Sequence, residues 1–427
     1  MRSWFDPFRW RAATLAVSVV LLLQGCGAGD SSPAEPSPLQ AAIAPSSNTT
    51  TTSTADSTSR RLLEKPLAAD RVISGPGELV SATLINTVAA ADITAAVQGH
   101  DKMPSALPVY AVTSYRLTYV TQDGYGNDIV ASGLVSVPVK EPGSPSPVLS
   151  YQHATIFKDA QAPSNNVVAA EPTVILASLG FIVLAADYVG FGASKAGQHP
   201  YLLSAPTAAA VTDLLTAART WRHNASVIDN GQLFLVGYSE GGYATMAAHR
   251  ALQATNSSHL RQLVSSIPGA GPYHVGVTLD MQLKRVRDEN VLIAGLISPG
   301  FLRYLGSTIR NEVRRLIMRL VIPDDADVTF QSTFLDNFLA DNDAAIERDS
   351  NVHDWKPEAP VRMFHGRDDQ TVPYVASTRT LQAMQARGAG NTVTLTDCVA
   401  TPASHLGCVA PYFSHALAQM APWVRDL

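Results

Sequence analysis

Mainly apolar segments of strand length, alternating with helical segments, constrain the fold of this 427-residue chain more than any other feature. Phe181–Ala186 and Gln232–Val236 are two such segments, and a stretch with helical character follows each of them. Strands that are apolar throughout are buried on both faces, which is typical of parallel sheets with helices on both sides. The sequence therefore predicts an α/β fold around a mostly parallel central sheet.

The other predicted elements extend this pattern along the chain. A hairpin is predicted from Ser114 to Val139, because alternating apolar residues flank a turn at Asp123–Asn127. Strands are also predicted at Pro147–Tyr151, Gln262–Ile267, Val361–Phe364 and Thr392–Leu395, and helices at Ala169–Leu179, Ala205–Trp221 and Gly241–Leu252.

The alternation lapses between about residues 275 and 355. Two apolar, helix-like stretches, Val291–Leu305 and Glu312–Val321, take its place. We expect a helical lid insertion here, above the carboxyl edge of the sheet, where open α/β sheets bind their ligands.

The N-terminus has the features of an export signal. Arg2, Arg9 and Arg11 precede the uncharged, mostly apolar run Ala12–Leu23. A bilayer-spanning helix needs about 20 residues, so this shorter run fits the core of a signal peptide instead. The run ends in Leu-Gln-Gly-Cys, which resembles a bacterial lipobox and predicts lipid attachment at Cys26. The alternative is an ordinary signal peptide with an incidental cysteine.

These features divide the chain into three parts. Residues 1–25 are predicted to be a lipoprotein signal peptide. Residues 26–66, rich in Ser, Thr and Pro, cannot bury enough apolar surface to fold and are predicted to be a flexible linker. Residues 67–427 are predicted to be the folded domain. Lipid on Cys26 would hold the protein to a membrane surface, in the periplasm or at the cell surface; without it the protein would be secreted.

Two further cysteines, Cys398 and Cys408, lie in the last part of the domain. Outside the cytosol such a pair usually forms a disulfide, so we predict one here. Two buried free thiols are the alternative. A zinc site is disfavoured because the chain has no pair of cysteines at CxxC spacing.

The sequence Gly237-Tyr238-Ser239-Glu240-Gly241 lies directly between a predicted strand and a predicted helix. A serine at such a junction must turn sharply to expose its hydroxyl, and the flanking glycines permit that turn. Ser239 is therefore predicted to be the nucleophile of an α/β hydrolase. A buried turn serine is the alternative.

A serine hydroxyl needs a base, and the base needs an orienting carboxylate further along the chain. The predicted acid is Asp369, which fits the HGxxDxxVP pattern of many α/β hydrolases, rather than its neighbour Asp368. His365, which precedes them, is predicted to support the loop. Only His405 and His415 lie downstream of the acid, and His405 is predicted to be the base because it occupies a loop before the last helix.

Backbone N–H groups must stabilise the oxyanion of the tetrahedral intermediate. One donor is predicted to be Glu240, the residue after the nucleophile. The other is predicted in the loop after Tyr151, with His153 or Ala154 favoured over Thr155.

Taken together, these motifs make the chain resemble the secretory lipase family, which includes lipases of the fungal lipase A type. The matching stretches, in family order, are residues 150–155, 177–180, 187–192, 234–242, 365–374 and 404–406. The resemblance implies an α/β-hydrolase core, a helical lid, a Ser239–Asp369–His405 triad, and activity on acyl esters including lipids. The chain departs from related His-Gly-Thr sequences at Ala154, where a glycine is usual.

The expected function is hydrolysis of a small-molecule ester or lipid through an acyl-enzyme on Ser239. A serine peptidase of the same fold and a non-catalytic scaffold are the alternatives. No cofactor or metal is expected, because side chains supply the nucleophile, base and acid. A net charge of −5 and the lack of any Lys/Arg run make nucleic acid a poor candidate for a partner.

Overall fold

The computed structural model of the chain describes residues 75–98, 108–289 and 322–427, with scattered positions from 306 to 318. The predicted signal peptide, Cys26 and the predicted linker lie outside the described residues. So do residues 290–305 and most of 312–321, which carry the two helix-like stretches of the predicted lid.

Nine strands form one central sheet. They are β1 (Leu79–Val88), β2 (Val112–Gln122), β3 (Asp128–Pro138), β4 (Ser146–Gln152), β5 (Ile182–Ala186), β7 (Asp229–Tyr238), β8 (Leu263–Gly269), β10 (Val361–His365) and β11 (Val393–Asp397). Two short strands, β6 (Gln198–His199) and β9 (Thr329–Phe330), pair with each other in parallel.

The order of strands in the central sheet is β1-β2-β3-β5-β4-β7-β8-β10-β11. The pairs from β1 to β5 are antiparallel, and those from β5 to β11 are parallel. All strands of the parallel half therefore end at one edge, which is where ligands bind in open α/β sheets.

Helices connect the strands. They are α1 (Ala90–Gln98), α2 (Pro172–Ser178), α3 (Ser204–Ala225), α4 (Glu240–Ala254), α5 (Val275–Glu289), α6 (Thr333–Leu339), α7 (Val375–Ala386) and α8 (Val409–Met420). Between α6 and β10 the chain adds the helical turn Asp343–Ala345 and the π-helical turn Ile346–Ser350. None of the described helices combines the length and the apolar character that crossing a membrane requires.

Burial on both faces explains the apolar strands. In β7, Leu235 points into a cluster with Leu184 and Leu214 of α3, while its neighbours Phe234 and Val236 point into the opposite cluster with residues of α2 and α8. A strand alternates its side chains between the two faces, so both sets must be apolar when helices cover both sides.

The predicted sheet, with helices on both faces, is confirmed, and each strand and helix predicted outside the lid region is present with bounds shifted by a few residues. Strand β1 and helix α1, at the start of the described chain, are not among the predicted elements. Helices α5 and α6 lie in the region where a helical lid insertion is predicted.

A buried aspartate fixes the loop that follows β5. Asp187 has no exposed surface. Its Oδ2 accepts from the hydroxyls of Ser132 and Ser164, each at 2.6 Å, and its Oδ1 accepts from the backbone N–H of Ser164 at 2.8 Å. Burial raises the pKa of Asp187, although these hydrogen bonds oppose the rise. The carboxylate thereby ties three separate parts of the chain together.

We expect Asp187→Ala to lower the free energy of unfolding by roughly 3–5 kcal/mol, because it leaves three buried donors without an acceptor. Urea unfolding would measure the loss. Asp128→Ala removes an exposed aspartate from β3 and should change the free energy by less than about 0.5 kcal/mol. Equal effects of the two substitutions would contradict this role of Asp187.

Candidate active site

Ser239 occupies a strained turn between β7 and α4. Its backbone has φ 59° and ψ −123°, which only a tightly determined turn imposes on a residue other than glycine. A Cβ on Gly241 would lie 2.0 Å from the carbonyl oxygen of Gln152, and one on Gly237 would lie 2.3 Å from the carbonyl oxygen of Gly241. The two glycines are therefore required for the backbone to pass this close to the end of β4.

The predicted nucleophile, base and acid lie in one hydrogen-bonded chain. The Nε2 atom of His405 is 2.9 Å from the Oγ of Ser239, and its Nδ1 is 2.6 Å from the Oδ2 of Asp369. Because a carboxylate only accepts, Nδ1 carries a proton and Nε2 is free to accept the serine proton. All three side chains are buried.

The carboxylate of Asp369 is held from several sides. Its Oδ1 accepts the N–H groups of Thr371 and Val372, at 2.8 and 2.9 Å. Its Oδ2 accepts from His365 as well as from His405. Burial would by itself raise the pKa of Asp369, but the two histidines lower it below the ordinary value. Asp369 therefore stays ionised and orients His405.

His365 lies under the acid loop, as predicted. Its Nε2 faces two acceptors, Asp369 Oδ2 at 3.1 Å and the carbonyl oxygen of Val372 at 2.9 Å, so this nitrogen must carry a proton. Its Nδ1 is 2.7 Å from the hydroxyl of Ser377 on α7. His365 thus joins the acid, its loop and the following helix.

Asp368 and His415, the alternatives for the acid and the base, lie outside the hydrogen-bonded chain of Ser239, His405 and Asp369. Asp368 is exposed and accepts the backbone N–H of Ala403 at 2.9 Å. His415 lies within α8, with its ring 5.0 Å from that of Phe364.

The loop that carries His405 is closed by the predicted disulfide between Cys398 and Cys408. The N–H of Cys398 donates to the carbonyl of His365, and the hydroxyl of Tyr238 donates to the carbonyl of His405 at 2.8 Å. The base is thereby fixed to both the acid strand and the nucleophile strand.

The residues predicted to stabilise the oxyanion lie at the start of α4 and the end of β4. Glu240 begins α4, and the first N–H groups of a helix have no acceptor within it. His153 and Ala154 follow β4, which pairs with β7 up to Gln152 and Gly237. The two predicted donor sets thus flank Ser239.

The loop after β4 is held by Tyr188, which follows the buried Asp187. The Tyr188 hydroxyl donates to the carbonyl of His153 at 3.2 Å, and the centroids of the Tyr188 ring and the His153 imidazole are 4.1 Å apart. Tyr188 has φ 65°, a conformation that is costly for a bulky residue and therefore held by its surroundings. Burial lowers the pKa of His153.

The residue that follows the nucleophile has a partner that the sequence did not indicate. His199 is buried, with its Nε2 2.7 Å from the carboxylate of Glu240. The two residues are 41 positions apart, and only the tertiary fold brings them together. No spacing in the sequence could indicate the pair.

Part of the chain is similar in sequence to a known protein family. Residues 160–303 match the model of the secretory lipase family. The matched stretch contains Ser239 and ends before Asp369 and His405. No curated protein is similar enough in sequence to count as a relative.

Solved structures share the fold. The rice cell wall degrading esterase LipA from Xanthomonas oryzae is 24% identical, with a TM-score of 0.63 over 82% of this chain and 100% of its own. A candidate hydrolase from Legionella pneumophila is 21% identical, with a TM-score of 0.63 over 81% and 98%. Candida antarctica lipase A in its closed state is 17% identical, with a TM-score of 0.50 over 78% of each chain. At these identities the similarity establishes the predicted α/β-hydrolase fold.

The close backbone contact at the turn makes a first prediction for the site. Gly241→Ala would force apart α4 and the end of β4, and we expect any hydrolytic kcat/KM to fall by at least about 100-fold, the effect of a misplacement near 1 Å. Gly276→Ala is the matched control, because its new Cβ would lie 3.6 Å from the nearest atom. A Gly241→Ala protein as active as the control would contradict the packing argument.

The depressed pKa of Asp369 makes a prediction about acid stability. Its stabilising contribution is complete above the unfolded-state pKa of about 3.9 and is lost as the pH falls towards the lower folded-state pKa. Between about pH 5 and pH 3 the wild type should therefore lose about 1 kcal/mol more than Asp369→Asn. Urea unfolding at the two pH values measures this difference, and equal losses would contradict it.

Proposed function

We propose that this protein is an exported serine hydrolase that cleaves carboxylic esters through an acyl-enzyme on Ser239. The observation that carries the proposal is the hydrogen-bonded chain from Ser239 through His405 to Asp369. Ser239 itself lies on a strained turn between a strand and a helix. This arrangement supplies a nucleophile, a base and an orienting acid in the geometry that acyl transfer requires.

In the proposed mechanism, His405 Nε2 takes the hydroxyl proton as Ser239 Oγ attacks the ester carbonyl carbon. The N–H of Glu240 and that of His153 or Ala154 donate to the oxygen that becomes negative. Collapse of this intermediate breaks the bond to the alcohol, which leaves with the proton from His405. Water, activated by the same histidine, then attacks the acyl-enzyme and releases the acid.

Two observations favour an ester over an amide. Residues 160–303 match the secretory lipase family, and the proteins of similar fold include an esterase and a lipase. A serine peptidase and a non-catalytic scaffold are the competing functions.

The proposed location is outside the cytosol. The disulfide Cys398–Cys408 fits an oxidising compartment, and the family match is to secretory proteins. We further propose that lipid on Cys26 anchors the protein to a membrane surface, with residues 26–66 as the tether. Metabolic labelling with a fatty-acid probe, lost in Cys26→Ala, would test the anchor.

Removal of the nucleophile tests the activity itself. We expect the purified protein to bind a fluorophosphonate covalently and to hydrolyse p-nitrophenyl esters between acetate and palmitate. Both reactions should disappear in Ser239→Ala, because the proposed acyl-enzyme forms on the Ser239 hydroxyl. Well-folded wild type that neither binds the probe nor cleaves any ester would favour the scaffold.

A matched pair of adjacent aspartates identifies the acid. Asp369→Asn should lower kcat by about 10⁴-fold, since the amide favours the wrong tautomer of the base. Asp368→Asn, in an exposed neighbour, should retain wild-type hydrolysis.

Faster cleavage of peptidyl amides than of matched esters would instead identify a peptidase.

A further inference from the structure

A buried pair of side chains lies beside the nucleophile and is not used in the mechanism above. The Nε2 of His199 is 2.7 Å from the Oε1 of Glu240, and the two side chains are 2% and 3% exposed. Glu240 directly follows Ser239, and its backbone N–H is the proposed oxyanion donor. The charge on its side chain therefore matters to the reaction.

Hydrogen-bond geometry fixes the total charge of this pair. The Nδ1 of His199 is 2.9 Å from the carbonyl oxygen of Val189, which can only accept, so Nδ1 carries a proton. The short contact from Nε2 to Glu240 requires a second proton between the two groups. Whether that proton is on the imidazole or the carboxyl, the pair as a whole is neutral.

A neutral pair suits the chemistry of the site. In the proposed reaction negative charge develops on the substrate oxygen near the N–H of Glu240, among buried side chains, where charges interact strongly. An unneutralised carboxylate on the same residue would oppose that charge. The proton shared with His199 removes this opposition and fixes the direction of the Glu240 side chain.

The surroundings of His199 hold its ring in place. Four aromatic rings have centroids within 5.2 to 6.0 Å of it, those of Tyr188, Phe191, Tyr201 and Phe330. Its backbone carbonyl accepts the N–H of Gln331, next to β9. Together with the contact from Nδ1 to Val189, this packing keeps Nε2 directed at Glu240.

We propose that His199 is a positioning residue for the oxyanion side of the site. His199 neutralises and orients the side chain of Glu240. The backbone N–H of Glu240 then faces the reacting carbonyl without a negative charge beside it. This inference rests on the proposed function. The titratable groups that face Glu240 are His199, His153, Tyr188, Tyr201 and Tyr243.

Two substitutions of His199 remove the proton that it shares with Glu240, and they differ in whether a hydrogen-bond donor to Glu240 is kept. His199→Gln keeps a donor to Glu240 but brings no titratable proton, and His199→Leu removes the hydrogen bond as well. Both should lower kcat by about 10–100-fold with little change in KM, a loss at or below that of one oxyanion donor.

Rescue separates this role from simple packing. In the Glu240→Gln background the carboxylate is absent, so adding His199→Gln should lower kcat by less than about threefold. His259→Leu, which removes a buried histidine that contacts Thr216 away from the site, should leave kcat unchanged. Rates are divided by the concentration of sites that react with fluorophosphonate, so misfolded protein does not count.

The outcomes are distinct. An unchanged kcat in His199→Gln would overturn the proposal. A loss of the same size in both backgrounds would also overturn it, because the effect would then be structural. A wild type that fails to hydrolyse any ester would overturn the proposed function first, and the inference with it.

Discussion

The whole site depends on how closely two backbone segments approach each other. The turn at Ser239 passes so near the carbonyl of Gln152 that only glycine is accommodated at Gly241. This contact places the start of α4 against the end of β4, which sets the nucleophile and the proposed N–H donors side by side. The parallel half of the sheet then places the acid loop after β10 and the base loop after β11 at the same edge.

Much of this was predictable because its signals are local. Apolar strands buried on both faces are recognised from a few consecutive residues, and the turn from glycines at fixed positions around Ser239. The pattern of the loop predicts Asp369 rather than Asp368 as the acid, and the two carboxylates have different surroundings. One carboxylate faces inwards to two histidines, whereas the other accepts a single N–H at the surface.

Other features have no local signal. Strand β1 forms an edge of the sheet, where Leu84 and Ile85 remain exposed, so its sequence lacks the clear apolar pattern of the interior strands. The antiparallel half could not be foreseen beyond the hairpin, since strand order is a property of the assembled sheet. The pairing of His199 with Glu240 likewise arises only when the loop after β5 meets the start of α4.

The disulfide has a consequence for where the protein can mature. His405 lies inside a small covalent ring that closes between Cys398 and Cys408, whereas the serine and the aspartate are held by the sheet itself. A chain kept in a reducing cytosol would lack this covalent ring. Under the proposed function and location, the loop of the proposed base would therefore be covalently closed only after export.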